Sequence, residues 1–121
     1  MRKHPYDQLK DAYDKFIREA CIRGYAVPVQ VKIADTRILK WANRAAGWGL
    51  YLQRSFSNGD AADVVPISQA SVDDRLLAAR YLSALVTAMN SAREGQFSEV
   101  VSAAVKVKMA AELLRDMESY E

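Results

Sequence analysis

The sequence predicts a mainly α protein: a four-helix bundle-like single domain over residues 1–121, with at most a short two-stranded extended element. Three observations lead there. Apolar residues recur at helical spacing in four stretches, 5–24, 36–57, 72–92 and 97–117. Turn-forming sequence separates them, at Gly24, at the Asn58-Gly59 pair and over Arg93 to Gln96. Half of the 121 residues are hydrophobic, enough to close one core and not two.

The first helix starts at Pro5, whose ring suits the opening turn, and carries Tyr6, Leu9, Tyr13, Phe16, Ile17 and Ala20 on one side as far as Gly24. Asp7, Asp11 and Asp14 line its other side. Lys15 and Arg18 follow Asp11 and Asp14 at four-residue spacing, the order of a solvated helix rather than of convergent metal ligands. Cys21, beside the buried stripe, is expected to be a small core residue.

Val27, Val29, Val31 and Ile33 then alternate with Pro28, Gln30 and Lys32, a period-two pattern that reads as a strand, against a competing reading in which Pro28 opens a longer helix. Pro28 confines it to an edge, with Val64 to Ile67, which also contains a proline, as a candidate pairing partner. Asp35 or Thr36 offers an N-cap for a helix to about Ser57, with Ile38, Ala42, Ala45, Ala46, Gly49, Leu52 and Phe56 sharing one broad face. Ser71 and Asp74 resemble a capping box for the next helix, and Asp73 and Asp74 suit its positive end. That helix is apolar over most of its circumference through Leu76, Leu77, Tyr81, Leu82, Leu85, Val86, Ala88 and Met89, which marks it as a core element or an oligomer interface. A last helix presents Val100, Ala103, Val107, Ala110, Leu114 and Met117 on one side.

Function is less legible. Opposite the small residues of the 36–57 helix lie Arg37, Lys40, Trp41, Arg44, Trp48 and Tyr51, a basic and aromatic stripe of the residue types that anchor interfaces. The expectation is a non-catalytic interaction module, an adaptor, inhibitor or assembly factor, that binds a protein partner through these six residues; the competing reading turns Trp41 and Trp48 toward the core and leaves three ordinary surface cations. The alternative is a small nucleic-acid-binding regulator using the same face, cations on phosphates and aromatics on bases. Charge divides along the chain: residues 1–57 hold 11 Lys and Arg against 5 Asp and Glu, and residues 58–121 hold 6 against 10, balances of +6 and −4. Mutual packing of the two halves is the simpler account of this, and an anionic partner of the basic half the alternative.

Catalytic and metal chemistry are not expected. His4 and Cys21 are single residues of their kinds, Gly47 and Gly49 lack the Lys-Ser/Thr of a phosphate loop, and no cofactor motif is present. The start of the chain runs into alternating charge rather than an apolar stretch, and no segment approaches the ~18 apolar residues of a membrane span. With a single cysteine, the expected setting is the cytoplasm. Two wide apolar faces in so short a chain allow self-association, with a twofold homodimer as its default form if Leu76 to Met89 stay exposed in the monomer.

Overall fold

The computed structural model describes residues 4–45 and 47–118. Its architecture is α+β, which overturns the expected helical bundle: helix α1 (Pro5–Ile22), strands β1 (Val29–Ala34), β2 (Arg37–Arg44), β3 (Gly47–Ser55) and β4 (Ala61–Pro66), a 3-10 turn (Ile67–Gln69) and helix α2 (Val72–Glu118). The strands form one antiparallel sheet in the order β1-β2-β3-β4.

In place of the helix expected over 36–57 the chain forms the β2–β3 hairpin. The register pairs Leu39 with Leu52 and Trp41 with Leu50, so the period that governs this stretch is two. Leu39, Trp41, Leu50 and Leu52 are all essentially fully buried on one face of the sheet. Ile38 and Ala42, which share a helical face in projection, belong instead to the opposite side of the sheet. Asp35 and Thr36 form the turn between β1 and β2 and cap no helix. Gly47 adopts φ +92, a left-handed conformation that begins β3 directly after the hairpin connection. Ala46 lies outside the described residues.

The extended reading of residues 27–33 agrees with β1, but its proposed pairing does not. Val64 and Val65 belong to β4, which pairs with β3 at the far edge of the sheet from β1. Pro66 ends β4 and Pro28 precedes β1, so both prolines sit where a missing N–H leaves no gap in the interior of the ladder.

Both helices contribute to one core with the same sheet face. Tyr13 and Ala20 of α1 and Ala78, Leu85 and Met89 of α2 join Ile33, Leu39, Trp41, Leu50, Leu52, Ile67 and Ala70. Cys21 is exposed, contrary to expectation, with Sγ 3.7 Å from the carbonyl oxygen of Trp48. The first helix ends in a double-bonded cap, Gly24 N–H to Cys21 O and Tyr25 N–H to Ala20 O, with Gly24 at φ +77. This cap delivers the half-buried Tyr25 to a position between β2 and α2. Its carbonyl accepts the Trp41 indole N–H at 3.1 Å, its hydroxyl donates to Asn90 Oδ1, and the Arg93 guanidinium lies 4.8 Å from its ring centroid.

At the start of α2, Ser71 Oγ accepts the Asp74 N–H at 3.1 Å, the placement expected of its cap. Asp74 then accepts from Arg37 Nε at 3.2 Å, so this carboxylate ties α2 to β2. The turn expected over Arg93 to Gln96 is absent: α2 runs unbroken for 47 residues, about 70 Å at 1.5 Å per residue. One internal glycine costs about 1 kcal/mol relative to alanine, which weakens a helix without breaking it.

Three expectations follow for stability. Gly47→Ala, forced into a left-handed conformation, should lose roughly 1–2 kcal/mol in denaturant unfolding. Gly95→Ala, whose added methyl meets nothing within 4 Å, should gain about 0.5–1 kcal/mol of helix stability by circular dichroism. The Tyr13 hydroxyl donates to the Arg75 carbonyl, and burial pushes its ionisation up to about 12, opposed in part by the Arg75 charge. The folded state therefore holds this proton more tightly than the unfolded chain does. Its contribution is complete below about pH 10 and is lost as pH rises through about 12, so Tyr13→Phe should flatten that limb of an alkaline unfolding curve.

Candidate interaction surface

The sheet pleat divides the six residues that sequence placed on one helix face. Arg37, Trp41 and Trp48 fall on the side covered by helices, whereas Lys40, Arg44 and Tyr51 fall on the side that no described helix covers. Trp41 is 0% exposed, which removes it as a surface anchor. It stacks against the half-buried Trp48, ring centroids 6.1 Å apart, and meets Phe16 edge-on at 6.5 Å. Both indoles thus work within the protein, and Arg37 is engaged with Asp74.

The open side brings Lys40 directly opposite Tyr51 in the register. Tyr51 is only 4% exposed because its ring lies along the sheet over Gly49, where an added Cβ would sit 3.6 Å from it. Its hydroxyl donates to the Gly47 carbonyl at 2.9 Å, and the Arg44 guanidinium lies 5.8 Å from its centroid. Strand alternation adds Lys32 to this side and no carboxylate, giving a face with three cations. A shallow depression of about 520 Å³ bounded by Asn43, Arg44, Ala45, Tyr51, Val64 and Pro66 lies at one end of it. Anions fit this arrangement, but the pinned Tyr51 ring offers no face for a base to stack upon.

A second surface was not singled out from sequence. Beyond Arg93, every described residue of α2 from Glu94 to Met117 is exposed. Phe97, Val100, Val101, Val105, Val107, Met109, Leu113, Leu114 and Met117 are between 53% and 69% exposed, against 0% for Leu85 and 3% for Met89. Of the two roles expected of residues 72–92, the core role is the one observed, through Ala78, Leu85 and Met89, and the continuous apolar exposure lies on the outer half of the same helix. At ~100° per residue, Val100, Val107 and Leu114 occupy the same 60° sector as Ala78, Leu82, Leu85 and Met89. One apolar stripe runs the length of α2; the sheet covers its first half, and the second half extends past the sheet as an uncovered arm. The signal in the sequence is the Val100-to-Met117 stripe, which the expected bundle would cover, so its exposure is legible only from the fold.

Among the described residues there is no group of three His, Cys, Asp or Glu side chains able to hold a metal ion, and no helix is long and apolar enough to cross a membrane. No protein-family model matches the chain, and neither does any curated protein or solved structure.

Trp41→Ala should cost about 3–5 kcal/mol in equilibrium denaturation, as expected of a core truncation. Lys40→Glu with Arg44→Glu, on the open side, should leave that stability within about 0.5 kcal/mol.

Proposed function

We propose that this chain is a non-catalytic protein-interaction module, an adaptor or assembly factor, acting through the outer half of α2 rather than through Trp41 and Trp48. One observation carries the reading: nine large apolar side chains between Phe97 and Met117 are each more than half exposed along a single projecting helix. Monomeric proteins rarely present apolar surface of this extent unless something covers it. A helix that lays i, i+3, i+4 and i+7 side chains into a complementary surface is a recurrent means of protein recognition. The proposal invokes no cofactor or metal. It places the protein in the cytoplasm, on the strength of a single unpaired cysteine.

Nucleic acid is the second reading, favoured by the three cations of the open sheet face. Charge reversal separates the two. On the leading reading, Val107→Asp with Leu114→Asp abolishes association of the full chain with its protein partner, and Lys40→Glu with Arg44→Glu does not. The opposite pattern, with binding that weakens steeply as salt rises, transfers the function to the sheet. Co-purification of the three proteins from cells of the native source, at two salt concentrations, provides the comparison.

A further inference from the structure

We infer that the partner of the α2 arm is the same arm of a second copy of this chain, packed antiparallel to it. The inference rests on the preceding reading, that the arm is the interaction surface, and identifies what covers it.

The seam Val100, Ala103, Val107, Ala110, Leu114, Met117 is spaced 3, 4, 3, 4 and 3 residues apart, the heptad spacing that keeps one stripe of a helix against another helix. Its residues alternate in size: Val100, Val107 and Leu114 hold one set of positions, and Ala103 and Ala110 hold the other until Met117. A parallel pair in register would set Ala103 against Ala103 and Ala110 against Ala110, two layers without enough side chain to fill them. An antiparallel pair sets Ala103 against Leu114, Val107 against Ala110 and Val100 against Met117. Every layer then joins a larger side chain to a complementary one, as close packing requires.

The area is sufficient. Val100, Val107, Leu114 and Met117 are 60% to 69% exposed, and Phe97 and Leu113 at the margins 60% and 66%. Covering most of this surface on both copies removes on the order of 1,200 Å² from water, the lower end for specific interfaces. The geometry also leaves room for the rest of the molecule. Met117 of one copy would lie opposite Val100 of the other, seven residues beyond Arg93, or about 10 Å along the axis from the last described contact of α2 with the sheet-bearing part.

Solution mass and cysteine cross-linking test this on the full chain in a Cys21→Ser background. A dimer is expected at micromolar concentration, with Leu114→Asp raising its dissociation constant at least 100-fold while leaving the tryptophan fluorescence of the folded state unchanged. In mixtures of Ala103→Cys and Leu114→Cys chains, heterodimeric cross-links should dominate, because antiparallel packing places position 103 beside 114 and holds the two 103 positions about 16 Å apart. Efficient Ala103→Cys self-cross-linking would overturn the antiparallel arrangement. A monomer at 100 µM, or a dimer indifferent to Leu114→Asp, would overturn self-pairing. If the chain is monomeric and Val107→Asp with Leu114→Asp still abolishes binding to another protein, self-pairing fails while the interaction-module reading stands.

Discussion

The fold depends on a single buried indole. Trp41 sits at the centre of β2, essentially without solvent contact, and its ring meets Phe16 from α1 and Trp48 from β3. Burying so large a ring is favourable by a few kcal/mol only if its N–H finds an acceptor, because an unpaired donor in that position gives back much of the gain. The acceptor is the carbonyl of Tyr25, presented by the cap that ends α1. Tyr25 in turn reaches Asn90 and Arg93 of α2. Sheet, first helix and last helix are thus joined at one residue pair, and the left-handed Gly24 allows the chain to make that turn.

Features that depend on local chemistry were legible in the sequence. The proline start of α1, its apolar side, the period-two strand at Val29 to Ile33 and the Ser71 cap all rest on neighbours within a few residues. The hairpin is ambiguous in sequence because β2 and β3 satisfy two periods at once. Ile38, Ala42 and Gly49 recur with a helix-like spacing, and Leu39, Trp41, Leu50 and Leu52 alternate as a strand pair. Alanine at positions 45 and 46 tipped the local preference toward helix, whereas pairing of Leu39 with Leu52 and Trp41 with Leu50 is a non-local fact that a window of residues does not contain.

The same distinction explains the candidate site. The six basic and aromatic residues share one hairpin, but the pleat sends Arg37, Trp41 and Trp48 to its helix-covered side and Lys40, Arg44 and Tyr51 to the other, a division that follows from period rather than composition. Conversely, the stripe from Val100 to Met117 was visible as one side of a helix, and only the absence of a bundle to receive it reveals the exposed surface. Gly95 resembles a break in sequence without being one. With no proline nearby and good helix formers around it, the helix continues through that residue.

Because α2 is continuous across Gly95, its two halves share one torsional phase. The angle at which the outer stripe leaves the sheet is therefore set by the packing of Ala78, Leu85 and Met89 some tens of ångströms away. An insertion of a single residue between Met89 and Val100 would swing that stripe by about 100° and advance it by 1.5 Å, whereas four added residues would return it to within about 40° of its starting direction. The segment beyond Arg93 thus behaves as a shaft indexed in whole turns, so insertions of different length there are not equivalent even at positions that lie wholly in solvent.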